Sequence, residues 1–269
     1  MGTQVLDCLR RQAPAADFID AAILNVCDLA MARNVRLLVD AEEQAIQPGI
    51  DKWCLRYQEY CNSPDRAIFY TTYQAYLRST PATISSHLEV CRRQGYTLGV
   101  KLVRGAYLKT EPRHLIWAEK EDTDCCFDGV VEALLTRRYN AMLKPLTEPK
   151  HQLLPPVNVI VATHNRTSVQ KAQAICEQQD ARRDVELSYA QLQGMADEVS
   201  GELLQGSQQQ FHTPNVYKLL TWGSVKECMG FLLRRAVENT EAVARTKQSQ
   251  EAMKAEMKQR FRRAFGFGS

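Results

Sequence analysis

The chain has 269 residues, 45% of them hydrophobic and 24% charged. That is close to the average of folded globular domains and excludes a disordered or fibrous chain. At about 150 residues per domain the length admits two small domains or one large one, and single α/β barrels reach this size. Lysine plus arginine, 34, exceeds aspartate plus glutamate, 31, by only 3, far short of the surplus a nucleic-acid binder carries.

The longest apolar runs, such as 37–39 and 159–162, are too short to cross a bilayer. The first thirty residues include Asp7, Asp17 and Asp20 and have no apolar signal core, so no secretory or transit presequence is visible. Nine cysteines are spread out with no Cys-x-x-Cys, and adjacent Cys125 and Cys126 make no zinc site. Free thiols in a reducing compartment and no bound metal are the expectation.

In chain order, the spacing predicts a helix over 15–33 and then strands alternating with helices. The six β-rich runs are 35–39, 67–73, 98–103, 157–162, 185–190 and 216–220. Between them, 79–93 starts on Ser/Thr/Pro signals and stops before Gly95, while 126–143, 168–179 and 226–245 have helical apolar spacing. Such alternation builds either a doubly wound sheet or a βα barrel. No Gly-x-Gly-x-x-Gly follows any strand, which excludes a nicotinamide-binding domain of the usual kind. A charged helix over 246–263 carries Met253, Met257, Phe261 and Phe265 at intervals of four. That stripe suits a membrane surface, a partner helix or its own domain.

In a βα barrel the chemistry gathers at the carboxyl ends of the strands. There the first run ends in Asp40, Glu42 and Glu43, the second in Gln74, and the third in Lys101, Arg104 and Tyr107. The fourth ends in His164 and Asn165, and the fifth in Gln191 and Leu192. Some have plain structural readings: Asp40 with Glu43 as a capping box, His164 or Asn165 as a helix cap. Alternation puts Lys101, Val103 and Gly105 on one face and Leu102 and Arg104 on the other. An inward Lys101 calls for an anionic partner or ligand. Gly105 and Ala106 remove bulk where a flat ring can approach the backbone. By spacing alone Arg234, Arg235 and Glu238 read first as a salt-bridged helix surface and second as a guanidinium clamp on a small carboxylate.

Five motifs occur in one order: Leu-Leu-Val-Asp-Ala-Glu (37–42), Val-Lys-Leu-Val-Arg-Gly-Ala-Tyr (100–107), Ala-Thr-His-Asn (162–165), Gln-Leu-Gln-Gly-Met (191–195) and Leu-Arg-Arg-Ala-Val-Glu-Asn (233–239). Together they resemble the proline dehydrogenase (proline oxidase) family, fungal mitochondrial type, over residues 34–245. The resemblance implies a (βα)8-type barrel holding FAD, oxidation of L-proline to 1-pyrroline-5-carboxylate, transfer of electrons to quinone, and a mitochondrial location. It divides the chain into a helical segment (1–33), an FAD-binding catalytic barrel (34–245) and a charged tail (246–269).

By the same resemblance Asp40, Lys101 and Tyr107 are catalytic. Arg234 and Arg235 grip the proline carboxylate, with Tyr107, Leu219 and Phe231 around the substrate. Gln74, Lys101, Val103, Arg104, Gly105, Ala106, Lys120, His164, Asn165, Gln191, Leu192 and Glu238 line the cofactor. The chain departs from the family in three ways. Six strands are readable where the barrel has eight, and no residue here takes the place of a family lysine from the missing part. Leu219 and Phe231 stand where tyrosines are usual, and Ala118 where threonine is common. These departures keep two alternatives open: a dehydrogenase for a related cyclic imino acid such as hydroxyproline, and a non-catalytic remnant that binds a partner.

Overall fold

The computed structural model describes residues 2–146, 153–177, 184–206, 215–238, 254 and 257, except the side chains of 206 and 234–238. The elements in chain order are α1 (Thr3–Arg10), α2 (Asp17–Arg33), β1 (Leu37–Val39), α3 (Gln47–Cys61), β2 (Phe69–Gln74), α4 (Thr80–Gln94) and β3 (Leu98–Val103). A 3-10 turn at Arg113–Leu115 follows, then α5 (Lys120–Thr136), β4 (Val157–Ala162), α6 (Arg166–Glu177), β5 (Leu187–Leu192), α7 (Asp197–Gly206), β6 (Asn215–Leu219) and α8 (Val225–Glu238). The α/β class and all six strands are those the sequence predicts.

Helix boundaries moved where caps overruled apolar spacing. α5 starts six residues before the first periodic apolar residue, because Glu119 and Asp122 form a reciprocal capping box. It ends early at Arg137, which adopts the left-handed conformation without being glycine. Gly95 closes α4 in that same conformation, as its position predicts.

The chain forms two compact units, Met1–Tyr189 and Ala190–Ser269, and the boundary falls within β5. In the first unit the strands are ordered β1-β2-β3-β4-β5, and the pairs from β1 to β4 are parallel. Strand order that follows chain order means every crossover moves the same way, which is barrel winding and not the reversal of a doubly wound sheet. Arg36, just before β1, bonds Glu186 and Ser188 at the start of β5. In a flat sheet strands four places apart lie roughly 19 Å from one another. The sheet of this unit therefore curls.

Its faces are set by the period of two. Phe69, Thr71 and Tyr73 turn to the helices: Tyr57 packs on Phe69, Gln58 donates to Thr71 at 2.7 Å, and the Tyr73 hydroxyl meets His87 Nδ1 at 2.7 Å. Tyr70, Thr72 and Gln74 face the other way, with Thr72 in register with Lys101 and Gln74 with Val103. Burial lowers the His87 pKa to about 4, so the imidazole is neutral at pH 7 and belongs to the helix–sheet packing.

The two N-terminal helices pack on α3. Leu9, Cys27 and Ala30 share a cluster with Ile50, Cys54 and Tyr57, and Trp53 donates to the Ala13 carbonyl at 2.8 Å. At Gly49 any Cβ would lie 2.1 Å from the Leu9 carbonyl oxygen, so glycine is what lets α1 approach. In the second unit β6 lies beside β5, with Gln193 N donating to Leu219 O at 3.1 Å. Lys218 ties β6 to the start of α7 through Asp197 (2.7 Å) and the Met195 carbonyl (2.9 Å).

Candidate active site

At the carboxyl ends of β1 to β3 the inward layer contains Thr72 and Lys101, which are direct partners in the β2–β3 ladder. Lys101 is largely buried, 12% exposed at its side chain, and its Nζ donates to Asp40 Oδ1 at 2.6 Å. This is the anionic partner that an inward lysine demands. Asp40, at 71% exposure, stays largely in water. The pair thus presents a held cation on the inner face without paying the desolvation of two buried charges. Asp40 to Glu43 lie outside any helix, because α3 starts only at Gln47; the capping-box alternative is not realised. Next to Lys101, the buried Thr72 hydroxyl has no partner among the described residues.

One layer further along, Gln74 is buried and bridges two loops. Its Nε2 donates to the Glu42 carbonyl at 3.0 Å and its Oε1 accepts from Ala106 N at 3.0 Å. Tyr107 donates its hydroxyl to Glu42 Oε2 at 2.7 Å. Gly105 adopts φ +144°, and a Cβ there would overlap the Tyr76 ring at 2.0 Å. The flat ring that the small residues admit is thus, at Gly105, one of the protein's own. Below the Glu42 loop, Gln47 accepts from Glu42 N at 2.7 Å and donates to Asp51 at 2.8 Å. Burial, opposed by that bond from Gln47, pushes the Asp51 carboxyl up to about 6.

Arg104 lies on the opposite face, as alternation requires. It donates to Asp124 (2.7 Å), Thr163 (2.7 Å) and Ser168 (2.9 Å) and stacks over Phe127 at 4.4 Å. These partners make it a pin between β3, α5 and the β4–α6 turn. Burial alone would raise the Asp124 carboxyl, but hydrogen bonds from Lys120 and Arg104 outweigh it and hold the carboxyl below the ordinary value. Lys120 stands exposed at the first residue of α5. Asn165 Oδ1 accepts from Ser168 N at 3.3 Å and so caps α6, and half-buried His164 precedes it.

In the second unit Gln191 is buried, its Oε1 accepting from Ser200 Oγ at 2.9 Å while its Nε2 has no partner among the described residues. Leu192, Met195, Leu219, Thr221 and Phe231 line a cavity of about 140 Å³. The structure thus groups three of the expected substrate and cofactor residues there. Arg234, Arg235 and Glu238 fall on α8, and their side chains lie outside the described residues. Glu42, Thr72 and Glu111 received no role from the sequence. Two of them had a legible signal: Glu42 as a carboxylate at the end of the first strand, and Thr72 two residues before Gln74 on the same strand face.

Charged and polar groups gathered at the carboxyl ends of singly wound parallel strands define a barrel-type enzyme scaffold. The family model for proline dehydrogenase matches residues 5–248, and the chain belongs to the proline dehydrogenase family.

It is 32% identical over 239 residues to proline dehydrogenase 1, mitochondrial, of Caenorhabditis elegans, covering 88% of this chain and 37% of that one. It is 30% identical over 241 residues to a probable mitochondrial proline dehydrogenase of Schizosaccharomyces pombe, covering 87% and 48%. To the hydroxyproline dehydrogenase of Mus musculus it is 33% identical over 234 residues, covering 86% and 49%. The chain therefore spans between a third and a half of the length of these relatives. The proline utilization A (PutA) structure from Bdellovibrio bacteriovorus, inactivated by N-propargylglycine, superposes with a TM-score of 0.66. It is 19% identical and covers 84% of this chain and 22% of that one, a likeness of fold.

Proposed function

We propose that the chain forms the catalytic part of an FAD-dependent proline dehydrogenase, which oxidises L-proline to 1-pyrroline-5-carboxylate and delivers the electrons to quinone. The observation that carries this reading is the Lys101–Asp40 pair, a cation held on the inner face at the strand ends in a chain of this family. The mitochondrial location is proposed from the names of the worm and yeast relatives.

The residues present fit a flavin. A ring system with carbonyl and nitrogen acceptors needs donors along its edge, and Lys101 with the unpartnered Thr72 hydroxyl beside it supplies them. Lys120, exposed at the N-terminus of α5, suits a phosphate, where the helix dipole adds to its charge. When bound, FAD supplies the two-electron acceptor for the hydride that leaves the proline ring carbon next to nitrogen. In the first unit Val103, Gly105, Ala106, His164 and Asn165 would complete its bed, with Gln74 holding the Ala106 backbone in place. Arg104 acts in this reading through the loop it pins.

The substrate's own demands set the rest. The amine must be neutral and the carboxylate anchored away from the reacting carbon. Arg234 and Arg235, one turn from the end of α8, offer the rigid fork that fits a carboxylate. Lys101 stabilises the negative charge that grows on the acceptor side, and Asp40 keeps that ammonium in place.

A second reading is a related cyclic imino acid as substrate. Leu219 and Phe231, neither of which carries the tyrosine hydroxyl usual at its position, line the cavity of the second unit beside Thr221, and the mouse relative is named a hydroxyproline dehydrogenase. Both readings are tested by steady-state reduction of an artificial dye by the flavin-loaded chain, with L-proline and hydroxyproline compared by kcat/KM. A higher value for L-proline supports the first reading and a higher value for hydroxyproline the second. A well-folded, flavin-loaded chain that oxidises neither would overturn both.

A further inference from the structure

Three links, made by four hydrogen bonds, tie the loop after β1 to the loop after β3. Gln74 joins the Glu42 carbonyl to Ala106 N. Glu111, buried at 7% exposure, accepts from Gln44 N at 2.6 Å. Tyr107 donates its phenol to Glu42 Oε2 at 2.7 Å. Of these, the last alone fixes a side chain that the family resemblance places around the substrate.

The Glu42 backbone is itself held at both ends, its N–H by Gln47 and its carbonyl by Gln74. With the main chain fixed, the carboxylate has little freedom in where it points. A phenol bonded to a carboxylate is a charge-assisted hydrogen bond, shorter and stronger than a neutral one. Tyr107 needs such a hold. It lies two residues beyond Gly105, whose φ of +144° belongs to the region that few side chains tolerate, and beside the exposed Leu108, Lys109 and Thr110.

We propose that Glu42 is a positioning residue. Through the Tyr107 hydroxyl it orders the aromatic wall against which the ring of a small cyclic amino acid stacks, so that substrate binding does not have to order that wall. The inference rests on the proline dehydrogenase reading, and it assigns Glu42 a role that composition and spacing left unassigned. Glu42 takes no part in proton or hydride transfer here; its effect reaches the substrate through Tyr107.

The test uses the flavin-loaded full chain in four forms beside the wild type: Glu42→Ala, Glu42→Gln, Tyr107→Phe and the Glu42→Ala/Tyr107→Phe double variant. Two readouts are taken: KM and kcat for L-proline, and the fluorine resonance of 3-fluorotyrosine-labelled protein, with Tyr107 assigned by its loss in Tyr107→Phe. Glu42→Ala and Tyr107→Phe should each raise KM about threefold to tenfold, and Glu42→Ala should leave kcat and flavin content little changed. The double variant should be no worse than either single one. Glu42→Gln retains an acceptor oxygen for the phenol and should recover most of the KM.

The Tyr107 resonance should shift or broaden in Glu42→Ala and return toward its wild-type position in Glu42→Gln. A resonance unmoved by Glu42→Ala, or KM effects that multiply in the double variant, would overturn the proposal. A wild-type chain that turns over no proline while the resonance still responds to Glu42→Ala would overturn the functional reading beneath it instead.

Discussion

The strand ends of the first unit and those of the second are built differently. In the first, Lys101, Gln74, Tyr107 and Arg104 each have defined partners within the chain, and β2 is buried along its whole length. In the second, Leu219, Leu220, Trp222, Val225 and Leu233 are exposed, Trp222 at 97%. Buried polar groups that satisfy one another hold a shape before any ligand arrives, whereas an exposed apolar surface gains stability only when something covers it. The proposed flavin bed is therefore preorganised. The proposed substrate side has polar anchors of its own, Lys218 on Asp197 and Ser200 on Gln191, but a thinner network around them.

The sharpest way to break this contrast is to remove the cation of the ordered half. Lys101→Met leaves Asp40 exposed to water and takes away the charge that faces the acceptor. Flavin reduction by proline, followed by stopped flow, should slow about 100-fold, while the melting temperature barely moves. Next in size is Gly105→Ala. The added Cβ meets the Tyr76 ring in a backbone region unsuited to alanine, so unfolding in urea should show a loss of about 2–3 kcal/mol.

On the other side of the comparison, Leu219→Tyr puts a phenol into the 140 Å³ cavity. The ratio of kcat/KM for L-proline over hydroxyproline should change about tenfold. A ratio unchanged by this variant would place the substrate elsewhere.

The smallest effect concerns the foundation of the Glu42 loop. Asp51, at about 6 in the folded chain, has an unfolded value of about 3.9, so the folded state binds its proton more tightly. Its contribution to stability is therefore present at low pH and is lost as pH rises from about 4 to about 6. Asp51→Asn carries no charge to bury and keeps an acceptor for Gln47. In urea denaturation at pH 7.5 it should be more stable than the wild type by about 1–2 kcal/mol, and the difference should vanish by pH 4.

Much of the ordered half was legible in the sequence. Alternation along 98–103 put Lys101 inward and Arg104 outward, and electrostatics then required a partner for Lys101, which is Asp40. The six strands were legible because each is a short β-rich run bounded by turns. α1, α3 and α7 drew no specific prediction. α3 opens with a polar turn, Gln47, Pro48, Gly49, and buries Gln58 beside Tyr57, so its apolar spacing is weak. The Gln74 bridge and the Glu42–Tyr107 bond were invisible for another reason: they join residues 32 and 65 positions apart. Local pattern carries no information about which carboxylate a distant phenol meets.

The most direct test of the central claim, that the strand ends of the first unit hold a flavin which proline reduces, is the visible spectrum of the purified chain loaded with FAD. Under anaerobic conditions, addition of L-proline should bleach the flavin bands in the wild type and should do so far more slowly in Lys101→Met. A folded chain that binds no FAD, or whose bound flavin keeps its absorbance in excess L-proline and hydroxyproline, would contradict the account.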